Sequence, residues 1–448
     1  MLRVAMLSMH TCPLAKLGGE VTGGMNVHVR ELARALGRLG VGVDVFTRTQ
    51  AEHLAREVPF GELARVVHIE AGPRAPRHKD DLYPLVPRFA RGVRHFADAQ
   101  GVRYDLVHAH YWLSGLAGAE LAEAWEVPLL LRFHTLAKLK NLALDGREGG
   151  ETALRVLQER QLMRRAEGLE AATPSDRAHM VLHYGAPPDM VRLVPCGVDL
   201  ELFRPLPRAA ARAELGLREG RVVLFVGRVE PIKGLDDLIR ALASLRAQRE
   251  SLLEDLVVLV VGGRLTEEKG AGATAAQSPE AFAPGPQRAE VARLCDLSRQ
   301  LGVEGWVRFL GSRDQALLPL YYAAADLCVL PSRYESFGMV ALEAAACGRP
   351  LVASAVGGLS HIVRHGKTGL LVPPGRPEAL GVAMGKLLED ERLRAALGRV
   401  AWERAQRFGW ERAAERTLPL YEDLLAQPAW GKLARRRPAV GALSAGSR

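Results

Sequence analysis

Two glutamates, Glu335 and Glu343, flank a small-residue turn in the stretch "ESFGMVALEAAACGRPLVAS". A strand followed by a tight turn and a helix aims free backbone N–H groups at one point, and such a point attracts an anion. Carboxylates beside it would repel the anion unless they bind something attached to it. A phosphorylated ligand that also carries hydroxyls meets both demands, because N–H groups take phosphate while carboxylates accept from hydroxyls. A second stretch, "GRVEPIKG", sets Arg228 and Lys233 just past a strand-like run. There a guanidinium fork and an ammonium point charge can clamp a diphosphate, although a solvated basic turn reads the same way. Gly23 and Gly24 precede the amphipathic pattern of "MNVHVRELARAL". A missing Cβ at that point admits a ligand to a helix N-terminus, and a plain strand-to-helix turn is the alternative.

Other chemistries lack their residues. "HAHYW" holds His108, His110 and Tyr111, and "FHTLAKLK" holds His134 and Thr135, each after an apolar run. No H-E-x-x-H and no carboxylate at ligand spacing accompanies these histidines, so no metal site is expected. Asp80-Asp81 and Asp236-Asp237 are adjacent pairs rather than the D-x-D arrangement that holds a divalent ion against a sugar diphosphate. The G-x-x-x-x-G-K-[ST] loop, the G-x-G-x-x-G fingerprint and the G-x-S-x-G elbow are all missing, which argues against a Walker site, a dinucleotide fold and serine hydrolysis.

The elements that must carry these residues alternate. "RVAMLSM", "GVDVFTR", "ARVVHIE", "YDLVHAH" and "VPLLLRFHT" are short apolar runs, and amphipathic helical patterns separate several of them. That spacing predicts parallel β-α-β units. A helical stretch is expected from Glu151 to Glu167, then strands in "LEAATPS" and "VRLVPCGVD". The layout restarts at "RVVLFVGRVEPIKG" and continues through "DLVVLVVGG", "WVRFLGS", "DLCVLPS" and "PLVASAVGG". The fold class is therefore α/β, with two doubly wound parallel sheets, a boundary near residues 198 to 206 and a ligand cleft between the sheets. The Gly/Ala/Pro-rich segment from Thr266 to Pro286 is expected to be a mobile loop, and residues 431 to 448 a disordered tail.

At 448 residues two domains are the natural expectation, and 48% hydrophobic with 25% charged residues is ordinary globular composition. The net charge of +9 suits an anionic partner, yet its densest run, Arg435-Arg436-Arg437, lies in the tail and no nucleic-acid module accompanies it. Five scattered cysteines without a C-x-x-C pair read as reduced thiols of a cytoplasmic protein. No leader precedes "RVAMLSMH", and no apolar run approaches the roughly 20 residues of a membrane helix.

Taken together, "GRVEPIKG", "PSRYESFGMVALEAAACGRPLVAS" and "GGLSHIVRHGKTGLLVPP" resemble the signature of the retaining family 4 glycosyltransferases with the GT-B fold. The resemblance spans nearly the whole chain. It implies an acceptor-binding domain over 1–200, a donor-binding domain over 201–404, and a closing helix near 405–428 that crosses back to the first domain. It also implies that Glu343 binds the ribose of a UDP-sugar and that Glu335 binds the donor sugar. Backbone groups of Phe337, Gly338 and Met339 would meet sugar or diphosphate, Arg228 and Lys233 the diphosphate, and Arg308 or its neighbours the uracil. Gly23 and Gly24 would approach the donor, and His134 a sugar hydroxyl.

Within the family the chain is most similar to the D-inositol 3-phosphate glycosyltransferases of mycothiol biosynthesis, and next to the sucrose-phosphate synthases. This likeness implies that His10, Asn26, Lys79, Tyr111, Thr135 and Arg155 hold the acceptor, an inositol phosphate or fructose 6-phosphate. It implies no cofactor, since the UDP-sugar is a substrate, and it allows a homodimer. Two other readings stay open, a lipid acceptor and a nucleotide-sugar sensor without turnover. The first calls for a basic amphipathic helix that the sequence does not offer convincingly.

Overall fold

The apolar runs become fourteen strands in two sheets of the computed structural model, which describes residues 1–16, 22–146, 149–266 and 273–427. The first sheet holds β1 (Arg3–Leu7), β2 (Gly42–Arg48), β3 (Glu57–Pro59), β4 (Ala64–Ile69), β5 (Leu106–His110), β6 (Leu129–Arg132), β7 (Gly168–Ala171) and β8 (Val191–Leu193). Their order is β3-β4-β2-β1-β5-β6-β7-β8, parallel except where the edge strand β3 runs against β4. The second sheet holds β9 (Arg221–Val226), β10 (Leu256–Val261), β11 (Val307–Gly311), β12 (Leu327–Leu330), β13 (Leu351–Ser354) and β14 (Gly369–Val372) in the order β11-β10-β9-β12-β13-β14. All its pairings are parallel.

Each order has one reversal, between β1 and β5 in the first sheet and between β9 and β12 in the second. A crevice opens outside the carboxyl ends of the strands at such a switch point. The chain places its candidate chemistry there: His10 follows β1, Tyr111 follows β5, Arg228 and Lys233 follow β9, and Glu335 follows β12.

The helix Gly24–Arg38 buries Val27, Val29, Leu32 and Leu36 against the first sheet. The closing helix Trp410–Ala426 lies against that helix, and its Tyr421 hydroxyl reaches His108 Nδ1 at 2.8 Å. A Cβ on Gly197 would stand 2.6 Å from the Trp410 ring, so glycine is required for this return crossing. The expected Glu151-to-Glu167 helix runs from Ala153 to Arg165.

The segment expected to be a mobile loop docks on the second domain wherever it is described. Phe282 is fully buried, and Thr274 donates to the Leu215 carbonyl at 3.2 Å. Composition alone did not register a single aromatic anchor among small residues. Residues 267–272 of this segment and the 431–448 tail, with its arginine run, lie outside the described residues. No helix among the described residues is long and apolar enough to cross a membrane.

Candidate functional site

The second domain presents its cations already paired. Lys233 Nζ donates to Glu335 Oε2 at 2.5 Å, and Arg228 meets Glu230 Oε1 at 2.7 Å. Glu343 lies one helical segment on, within Met339–Ala346, where it is buried and accepts from the Tyr322 hydroxyl at 2.8 Å. Burial pushes its carboxyl up to about 7. Gly338 caps this helix with φ +95°, a left-handed backbone that favours glycine. Phe337 is buried in the apolar core beside this turn. Opposite, a Cβ on Gly24 would stand 3.1 Å from Met339 Sδ, so the two glycine turns face each other across the domains, with Gly23 opening on free space.

The first domain gathers a cation cluster. Arg155, buried, donates to Glu159 Oε1 at 2.8 Å, to the Thr135 carbonyl at 2.9 Å and to Thr135 Oγ1 at 3.0 Å. It also meets Glu151 Oε2 at 2.9 Å and sits 4.6 Å above the Tyr111 ring centroid, a desolvated cation–π contact. Lys79 pairs with the same Glu151, and Lys140 reaches it at 2.8 Å. His10 packs against Tyr111 with ring centroids 4.3 Å apart and planes tilted by 38°. Lys79, Tyr111, Thr135, Arg155 and His10, expected together from the family likeness and drawn from separate segments of the chain, lie around one spot.

His134 follows β6 with φ 62°, and Tyr111 follows β5 with φ 77°. Non-glycine residues held in the left-handed region cost about 1–3 kcal/mol each and concentrate at functional sites. His134 Nε2 lies 3.0 Å from His110 Nδ1, and His28 completes a trio of imidazoles whose nitrogens lie within 4.8 Å of one another. Burial first, then the charge of Arg132, holds His134 and His28 well below the ordinary histidine range, so both rings are neutral. A neutral imidazole suits a hydrogen bond to a hydroxyl. Spacing along the chain gave no sign of this trio, because His28 comes from a distant helix.

Two expected residues are placed differently. Asn26 is fully buried, and its amide is spent internally, donating to Thr11 Oγ1 at 2.6 Å and the Cys12 carbonyl at 2.7 Å and accepting from Gly23 N–H at 3.0 Å. It shapes the glycine turn and has no donor left for an acceptor molecule. Arg308 is exposed on the edge strand β11, paired in register with Leu259 in the middle of β10. That register sets it back from the carboxyl ends where the other residues gather.

The two halves are closed on each other at this point. Tyr334 accepts from Leu136 N–H at 3.1 Å, Arg30 donates to Gln315 at 2.8 Å, and Ile232 and Tyr334 are buried in the first domain's apolar cluster. Thr135 precedes Leu136, while Lys233 and Glu335 follow Ile232 and Tyr334, so cation cluster and carboxylate pair flank one contact. The interdomain cleft lined by Val27, Arg30, Gln315, Met339, Glu343 and Trp410 holds a cavity of only about 10 Å³. That is about the space of one water, so entry of any larger ligand requires opening. Re-exposing Ile232 alone would cost about 1.5–3 kcal/mol, an amount that ligand contacts readily offset.

Residues that sequence reasoning passed over include Lys140, Glu151, Glu159 and Tyr334. Lys140 stood in the quoted "FHTLAKLK", six residues after His134, and Tyr334 in the quoted "PSRYESFGM", but nothing local marked either of them.

Comparison with known proteins follows the same division. Residues 22–202 match the family described as Glycosyltransferase Family 4, and residues 207–404 match Glycosyl transferases group 1. The D-inositol 3-phosphate glycosyltransferase of Kineococcus radiotolerans is 43% identical over 430 residues, covering 94% of this chain and 94% of that protein. Its counterpart from Thermobispora bispora is 41% identical over 425 residues, 94% of this chain and 95% of its own. Among solved structures, the sucrose-phosphate synthase of Thermosynechococcus elongatus superposes with a TM-score of 0.83 at 33% identity, covering 95% of this chain and all of that one.

Proposed function

The chain belongs to the family 4 glycosyltransferases, with the two-sheet GT-B fold, and on that premise we propose a specific reaction for it. It transfers N-acetylglucosamine from UDP-N-acetylglucosamine to 1D-myo-inositol 3-phosphate, with retention of anomeric configuration and without a resident metal. The observation that carries this reading is the convergence of Lys79, Tyr111, Thr135 and Arg155 on one anion-binding point. The names of the relatives 41–43% identical support the choice of acceptor.

The chemistry follows from the residues. The acceptor hydroxyl forms its bond to the anomeric carbon on the face from which the diphosphate departs, and the departing phosphate oxygen takes the hydroxyl proton. Lys233 and Arg228 neutralise the charge that grows on that oxygen, the task a metal performs in D-x-D enzymes. Donor binding separates Lys233 from Glu335, which frees the ammonium for diphosphate and the carboxylate for sugar hydroxyls. His134, neutral and fixed by His110, aligns the donor sugar. Glu343 accepts from the ribose hydroxyls.

This role makes donor binding pH-dependent. Glu343 titrates near 7 in the free protein, and its charged form is the better acceptor of hydroxyl donors. UDP affinity should therefore fall by up to about tenfold per unit as pH drops below 7, and level off above it. Calorimetric titration of UDP between acid and alkaline pH checks this, with Glu343→Gln subtracting the titration of the diphosphate itself. Identical profiles for both proteins would remove the role. The reaction itself is tested by NMR of the product formed in the presence of a chelator: an α-linked N-acetylglucosaminyl inositol phosphate is expected, and a β linkage or silence under chelation would overturn retention or metal independence.

A further inference from the structure

We propose that the Glu151 carboxylate occupies the phosphate subsite of the acceptor as an internal counter-ion, that the acceptor phosphate binds by exchange with it, and that Lys140 is a further phosphate ligand. The inference rests on the reading of the acceptor as a phosphate ester.

Three cations from three segments point at one group. Lys79 comes from the turn that follows β4, Lys140 from the helix Ala137–Leu144, and Arg155 from the helix Ala153–Arg165. All three engage the two oxygens of Glu151, whose side chain is 2% exposed. Burial alone would raise this carboxyl, but Arg155, Lys79 and Lys140 together hold it well below the ordinary range, so it stays charged at any working pH. Against the carboxylates Glu151 and Glu159, the three cations leave an excess of one positive charge. With Glu151 withdrawn the excess is two, which matches a phosphate dianion.

A second observation points to ligand binding at the same spot. His10 is buried against Tyr111 within the field of Lys79 and Arg155, and its Nδ1 has no hydrogen-bond partner among the described residues. Burial first, then those two cations, brings its pKa down to about 3, so it stands as a neutral imidazole with an unused nitrogen. A buried polar atom left without a partner is costly, and a ligand's hydroxyl or phosphate oxygen would supply that partner.

The exchange asks little of the backbone. Asn141 holds Glu151 from both sides, donating to its carbonyl at 2.9 Å and accepting from its N–H at 2.6 Å. Only the side chain has to rotate. Glu159 cannot leave in its place, because it also accepts from the Tyr184 hydroxyl at 2.5 Å and from Ala137 N–H at 3.0 Å.

Calorimetry of inositol 3-phosphate, fructose 6-phosphate and inorganic phosphate binding to the full chain, its Glu151→Gln variant and its Lys140→Gln variant decides the matter, with UDP affinity as the check on folding. If Glu151 competes with phosphate, Glu151→Gln binds the phosphate ligands about tenfold tighter or more, one charge-assisted competitor having been removed. Lys140→Gln binds them several-fold weaker. Equal or weaker binding by Glu151→Gln, with the unmodified protein still binding a phosphate ester, overturns the exchange and leaves the phosphorylated acceptor standing. No binding of any phosphate ester by any of the three proteins, with UDP still bound, overturns both.

Discussion

Replacing Lys233 by alanine is expected to lower kcat about 100-fold or more, the usual consequence of removing one donor from a developing oxyanion. Lys233 stands at the carboxyl end of β9, on the switch point of the second sheet, and its ammonium is only 2.5 Å from Glu335. Without it the leaving diphosphate loses a point charge and Glu335 loses its counter-ion. Both changes act on the donor side, so the acceptor KM should hardly move. A steady-state comparison over both substrates checks this. Turnover within a few-fold of normal would remove Lys233 from the clamp and shift that charge to Arg228 alone.

The second large effect concerns Arg155, and here the packing dictates which variant is informative. Arg155→Ala strips the guanidinium from Glu159, a carboxylate buried at 0% exposure, and breaking a buried pair typically costs about 3–5 kcal/mol. A lowered melting temperature is the expected result, and kinetics on such a protein would mix folding with binding. Arg155→Lys keeps the charge and loses the fork that joins Thr135, Glu151 and Glu159. The lost charged hydrogen bond should raise the acceptor KM by about tenfold or more, with the donor KM nearly unchanged. Equal losses on both substrates would mean that Arg155 supports the architecture and does not hold the acceptor.

Most of the fold could be read from the chain because its buried parallel strands are short unbroken apolar runs, such as "RVVLFV" and "LVVLVV" for β9 and β10. The placement of Arg228, Lys233 and Glu335 could be read for a related reason. A cation or carboxylate just past such a run lands at the carboxyl end of a strand, where parallel sheets bind ligands. What escaped was set by three-dimensional pairing. Lys79 and Glu151 stand far apart in sequence and share one ion pair, and nothing local distinguishes that glutamate from a surface residue. Family likeness assigns Asn26 to the acceptor, yet it is buried and its amide bonds to Thr11, Cys12 and Gly23. Arg308 depended on strand register, which a run of apolar residues does not specify. Phe282 anchors a segment that its glycine, alanine and proline content disguised as loose chain.

The central claim is tested most directly by measuring UDP released when the purified chain meets UDP-N-acetylglucosamine or UDP-glucose, each with 1D-myo-inositol 3-phosphate or with fructose 6-phosphate. The account predicts release with UDP-N-acetylglucosamine and inositol phosphate, and background rates with the other three pairs. Release confined to UDP-glucose and fructose 6-phosphate would contradict the assigned substrates and make the chain a sucrose-phosphate synthase. Silence with all four pairs, while UDP still raises the melting temperature, would contradict the account itself and favour a lipid acceptor or a sensor that binds without turnover.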